Sequence, residues 1–284
     1  MSNRRYLIVN ADDFGMRESS DRAIAALFRQ GAITSTTVLS PAARAAQACR
    51  AARDGGFPVG VHWTLHSEWA DAPWMACAGA STLTDGAGRL LPDCKRASSG
   101  DVTRELEAQI NFMERHGVRP DHADSHGGTL YGINGRLFFV NAFRLCRAYR
   151  LPFRFAKSDG FLRRQFDGAV PGVVKGAQRF VAGLARKMGV SILDDFVTNP
   201  YPAEKAGGYE ALCAYYEAEL AKAPAGVTEV FLHPSLPDAE MSARTPEWAK
   251  REWEYQFLAE GRLARAAEKE GFELVSWAVF GSAL

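Results

Sequence analysis

Apolar positions recur along the chain in two alternating rhythms. Tyr6-Leu7-Ile8-Val9 is a short apolar run, bounded by polar residues, that predicts a buried strand. From Ser20 to Gln30 the apolar positions switch to helical spacing, with Ile24, Leu27 and Phe28 on one face and Gly31 just past the end. Ile33–Leu39 predicts a second strand, Pro41–Arg53 a helix, and Val59–Leu65 a third strand. The pattern resumes further on with a helix through Val102, Leu106, Ile110 and Met113, and a fourth strand at His122–Ser125. A helix over Leu137–Tyr149 and a short strand at Phe153–Ala156 follow. Residues 160–190 read as loop and helix. The C-terminal part predicts strands at Ile192–Val197, Val227–Leu232 and Phe272–Phe280. Between them lie a helical stripe over Tyr209–Leu220 and a long helix over Glu247–Lys269.

Seven or eight strand–helix units in succession predict an α/β fold with mostly parallel strands and helices outside, most simply a closed or nearly closed barrel. An open doubly wound sheet is the competing arrangement, although no Gly-x-Gly-x-x-Gly follows the first strand. The 284 residues fit one catalytic domain of this kind. The stretch at about 66–100 interrupts the rhythm. It holds Trp69, Trp74, Pro73, Pro92 and several glycines, and reads as a long loop or insertion.

Composition narrows the function classes. The net charge of +1 and the absence of a basic block give no nucleic-acid footprint, and Arg144, Arg147 and Arg150 read as a solvated helix face. Five scattered cysteines without a Cys-x-x-Cys argue against a disulfide framework or a cysteine metal site. No apolar run has the length of a membrane span or a signal core. The expectation is a soluble cytoplasmic protein with a small-molecule partner, no nucleic acid and no membrane; a homodimer is compatible with it.

The polar residues gather at the ends of predicted strands. Asn10, Asp12 and Asp13 follow the first, His62 and His66 belong to the third, Asp124, Ser125 and His126 end the fourth, and His233 follows Val230-Phe231-Leu232. In a parallel barrel these ends converge on one face, where barrel active sites lie. Adjacent Asp12 and Asp13 are costly beside a buried strand unless paired or bound to a cation. On a tight turn they point apart, so one serves as a ligand and the other as a base. A helix N-cap is the plainer role for either. His62 and His126 add two imidazoles to one carboxylate, a donor set that suits a catalytic divalent ion, although a strand histidine such as His62, taken alone, is more often a hydrogen-bonded core residue. Gly127 and Gly128 would let backbone approach a ligand. His233 would form an acid–base pair with an aspartate across the ion, or cap a core element.

Together, NADDFG after the first strand, GVHWTL, DSHGGTLYG and the late FLHPS resemble the YdjC/ChbG-like carbohydrate deacetylase family, in the same order over most of the chain. The resemblance implies a barrel-like deacetylase fold, a divalent cofactor (Mg2+ or Zn2+) and removal of acetyl groups from N-acetylated sugars. It implies Asp13, His62 and His126 as metal ligands, Asp12 as general base and His233 as general acid. Arg154 would hold Asp12, or else be a surface arginine. Asn10, Trp69, Trp74 and Tyr131 are expected to bind substrate, the tryptophans by stacking on sugar rings or, alternatively, by anchoring the insertion. Chitooligosaccharide members read DSHQHxH where this chain reads DSHGGTLY, a departure that bears on the substrate rather than the reaction. Competing readings are a hydrolase of another amide or ester, a two-histidine-one-carboxylate iron oxygenase, a carboxylate-pair glycosidase and a non-catalytic sugar-binding protein.

Overall fold

The computed structural model describes residues 4–133 and 136–281. Its strands are β1 (Arg5–Phe14), β2 (Ser35–Val38), β3 (Val59–Trp63), β4 (Ala123–Ser125), β5 (Phe153–Ala156), β6 (Ile192–Leu193), β7 (Asp195–Val197), β8 (Gly226–Leu232) and β9 (Phe272–Leu274). Every ladder between them is parallel, in the order β6-β5-β4-β3-β2-β1-β8-β7. Only Asp194 separates β6 from β7, and its amide donates to the Val227 carbonyl of β8 at 2.9 Å. The two ends of the sheet are thus one extended segment, and the sheet closes into a ring. The helices form the outer layer. This is the barrel-like α/β fold expected from the alternation of periods.

Several boundaries depart from the sequence reading for identifiable reasons. The predicted strand 192–197 is interrupted where the Asp194 side chain turns to accept the Val227 amide at 2.8 Å. The predicted long helix 247–269 is two, Glu247–Ala259 and Arg262–Lys269, separated at Gly261, whose left-handed φ of 68° ends helical continuity. A short helix at Ala239–Arg244, capped by Asp238, was not signalled by periodicity. The last predicted strand shrinks to β9, which pairs only with the N-terminal part of β1. Beyond it a 3-10 turn, Trp277–Phe280, buries Trp277 against the His122 ring at 4.4 Å.

Residues 66–98 form a long segment without regular strands or helices, with two isolated antiparallel bridges, Met75 to Arg89 and Thr84 to Leu90. It is tied to the helix Ser99–Arg115 by acids that this helix buries. Glu105 accepts the amides of Cys77 and Ala78, and Asp101 accepts the amide of Thr82. Buried carboxylates satisfied by backbone donors are stable only in one register, so the stretch is held in a defined place against that helix.

Candidate active site

β1 runs further than its apolar run suggests, through Asp12 and Asp13 to Phe14. The turn expected at the acid pair is instead an irregularity inside the strand. The register against β2 shifts between Ala11 and Phe14, and Asp13 adopts a left-handed φ of 69°. A non-glycine residue in that region is uncommon. Its effect here is to send two successive carboxylates to different partners.

Asp13 faces two histidines and an arginine. Its Oδ1 lies 3.3 Å from Nε2 of His62 and 3.2 Å from Nδ1 of His126. Its Oδ2 accepts from Arg251 at 2.7 Å. All three of Asp13, His62 and His126 are buried, and their ligand atoms lie within 4.8 Å of one another. Buried Oδ1 has no donor aligned on it. An orphaned carboxylate oxygen facing two imidazole nitrogens has the chemistry of a three-ligand divalent cation site. The other face of His62 is held by Asp124, 2.7 Å from Nδ1, as carboxylates hold metal-binding imidazoles.

Asp12 turns the other way. Arg154 of β5 grips it with two bonds of 2.7 and 2.8 Å, and the Asn10 amide donates to it at 2.7 Å. The same guanidinium lies 2.7 Å from Asp124, bonds Glu229 of β8 at 2.8 and 3.0 Å, and stacks 4.3 Å from the Phe231 ring. Arg154 is therefore a buried hub for three carboxylates and not a surface residue. His233 lies across the cleft, with Nε2 3.8 Å from Asp12 and Nδ1 3.9 Å from Glu254. Its own amide donates to Glu254 at 2.6 Å. Glu254 is the polar neighbour that the sequence around His233 did not reveal.

The charges set the protonation. Burial pushes Asp12 up, but Arg154, His62 and His233 outweigh it and leave the carboxyl below its ordinary range. Asp13 is likewise lowered, burial being overcome by Arg251 and the two histidines. For His126 burial acts downward, while Asp13 and Glu68 raise it to about 9; His62 is raised against burial chiefly by Asp124. A bound cation would compete with those protons. His233 is lowered, mainly by burial.

A cleft of about 320 Å³ opens beside this cluster, lined by Met16, Glu68, Trp69, His233, Trp248 and Arg251 among others. A larger one of about 530 Å³, over Arg163, Arg164 and Tyr215, involves none of the site residues. The chemistry points to the smaller cleft. Of the expected substrate contacts, Trp69 lines it, with the Arg244 guanidinium 5.0 Å over its ring. Trp74 is buried, edge-on to His126 at 5.3 Å. Tyr131 packs among Phe139, Phe153 and Phe155, and its hydroxyl donates to the Arg154 carbonyl at 2.6 Å, so it braces β5. The two glycines after His126 shape the local backbone. Both are left-handed, and a Cβ on Gly127 would sit 2.8 Å from the His66 ring. They turn the chain so that His126 meets Asp13.

Glu68, 3.1 Å from Nε2 of His126, and Arg251 escaped the sequence reading. One lies in the insertion and the other on a helix that follows β8. Neither position carries a local signal. Glu229 did carry one, as a lone acid inside the apolar strand Val227–Leu232.

The YdjC-like protein family model matches residues 6–269. A carbohydrate deacetylase from Enterococcus faecalis is 35% identical over 161 residues, 55% of this chain and 60% of its own length. One from Geobacillus stearothermophilus is 34% identical over 151 residues, 53% of this chain and 59% of its own. The chain thus matches about three-fifths of those two relatives. A carbohydrate deacetylase from Thermoanaerobacter pseudethanolicus is 25% identical over 283 residues, covering 97% and 99% of the two chains. Among solved structures, a putative cellobiose-phosphate cleavage protein from Enterococcus faecalis superposes with a TM-score of 0.76 at 24% identity, over 98% of this chain and 99% of that one. The fold is shared with that structure, and the motifs that build the cleft lie inside the matched residues: the chain belongs to the YdjC-like protein family.

Proposed function

We propose that the chain is a divalent-cation-dependent hydrolase that removes the acetyl group from an N-acetylated sugar. The observation that supports this most is the division of labour between adjacent acids. Asp13 joins His62 and His126 in a cation-type cluster, while Asp12 is held beside it by Arg154 and faces His233. Asp13, His62 and His126 would hold the ion, Mg2+ or Zn2+. Bound there, it would polarise the acetyl carbonyl and offset the negative charge that grows on its oxygen.

The remaining steps belong to the chain's own groups. Asp12 accepts the proton of the attacking water. Arg154 and Asn10 fix its orientation and keep it ionised, at some cost in basicity. His233, a third exposed at the cleft edge, delivers a proton to the departing sugar amine. Trp69 offers a flat wall beside the reacting group, the kind of surface on which a sugar ring stacks. The deacetylase names of the relatives agree with this reading.

The test is acetate release from a panel of N-acetylated amino sugars and short oligosaccharides, before and after chelation. Release that chelation abolishes and a divalent ion restores is expected. Chelation-insensitive release would remove the cation from the mechanism. No release from any N-acetyl sugar, with release from other amides or esters, would move the substrate class.

A further inference from the structure

The distribution of charge points beyond the cleft. Residues 133–190 hold twelve Lys and Arg against two Asp and Glu, in a chain whose net charge is only +1. The rest of the chain is correspondingly acidic. Of the eight exposed large hydrophobic side chains among the described residues, six fall in the same stretch: Ile133, Leu137, Val140, Phe166, Val173 and Phe180. Coincidence of a cationic excess with an excess of exposed apolar side chains is unusual on a soluble protein surface.

The fold puts part of both excesses on one flank, although Arg154 is buried in the cleft cluster and Arg164 is held in ion pairs with Asp195 and Glu219. β4 pairs with β5 and β5 with β6, so the helices that follow β4 and β5, Phe139–Tyr149 and Gly172–Met188, pack side by side on the outside of the barrel. On the first, Val140, Arg144 and Arg147 share one exposed face at spacings of four and three. On the second, Val173, Ala177 and Phe180 share another; Val173 is 80% exposed and Phe180 72%. This helix carries Lys175, Arg179, Arg186 and Lys187 and no acid at all. Its buried side, Gln178, Val181 and Ala185, faces the barrel.

We propose that this flank is a docking surface for an anionic lipid bilayer. An interfacial helix wants cations for the headgroups and apolar side chains for the acyl boundary, and here two adjacent helices present both. A nucleic acid would match the charge but leave Val173 and Phe180 unused. A second copy meeting flank to flank would oppose like charges. No helix among the described residues is long and apolar enough to cross a membrane, so the contact is peripheral. It is independent of the deacetylase reading, because the exposed side chains of these two helices do not line the cleft.

The experiment is co-sedimentation of the full chain with vesicles of phosphatidylcholine alone and of phosphatidylcholine with roughly a third phosphatidylglycerol, at low and high salt. Binding to the anionic vesicles only, reduced by salt, is expected. Arg179→Glu with Lys187→Glu should weaken it by about tenfold or more, and Val173→Ser with Phe180→Ser should weaken it with the charge unchanged. Arg29→Glu with Arg50→Glu, the same charge change on exposed positions of the opposite flank, should leave binding nearly intact. Unfolding temperatures measured on each variant separate loss of docking from loss of fold. No sedimentation with anionic vesicles would overturn the proposal. So would equal weakening by both charge-reversed pairs, or binding to duplex RNA or DNA under conditions where vesicles are not bound.

Discussion

Asp13 carries two demands at once, a left-handed backbone and a carboxylate shared between Arg251 and two histidines. Asn tolerates that backbone better than most residues. Asp13→Asn should therefore fold with a small change in unfolding temperature while losing cation affinity by about 100-fold or more, by analogy with the 10–100-fold that even outer-shell changes cost. Asp13→Ala should lose the cation and also be less stable, since it leaves the half-buried Arg251 without its partner. Equal stability of the two variants would show that the Arg251 pair contributes nothing. Arg154 is a stronger case, with three carboxylates depending on it. Its removal should cost about 3–5 kcal/mol in thermal or denaturant unfolding, the range for breaking a buried pair. Arg154→Lys keeps the charge but not the two-point grip on Asp12, and should fold with a greatly reduced kcat. In the proposed mechanism His233 sets a pH limit. As the acid it must carry a proton, so activity is present below its pKa and declines as pH rises through it. Burial lowers that pKa from the ordinary value near 6.5. The alkaline limb of kcat/KM should accordingly be missing in His233→Asn, whose residual rate should be flat there. An unchanged limb in that variant would assign it to another group.

At the scale of elements, the stretch 66–98 places its two tryptophans in different surroundings. Trp74 is 8% exposed and wedged against His126, so Trp74→Ala should cost about 3 kcal/mol or more of stability. Trp69 lines the cleft, so Trp69→Ala should raise KM for a sugar substrate with little change in unfolding temperature. Reversal of these two outcomes would exchange their roles. Strands proved legible where β-branched and aromatic residues dominated a short segment, as at β3 and β8. The Asp and His residues at strand ends were legible because a parallel barrel brings such ends together. What stayed hidden depends on contacts distant in sequence. The extension of β1 through two buried acids is stable only because Arg154, His62, His126 and Arg251 await them. The break at Asp194 arises from a bond to β8, and Glu68 and Arg251 reach the site from elements with no chemical signature of their own. Tyr131 sits in a motif beside His126, yet its hydroxyl is committed to the β5 backbone.

Across the whole molecule, barrel closure through Asp194 gathers side chains from β1, β3, β4, β5 and β8 into one buried electrostatic unit. So many buried charges persist only if each is paired, and Asp13 Oδ1 meets two imidazole nitrogens without a hydrogen bond aligned on it. A divalent cation would complete the set. Equilibrium dialysis of the purified chain against Zn2+ or Mg2+ tests this most directly, with bound ion counted per chain for the natural sequence and for His62→Ala with His126→Ala. One tightly bound ion per chain, absent from the double variant, is the predicted result; a site retained in that variant, or no bound ion in the natural sequence, would contradict the account.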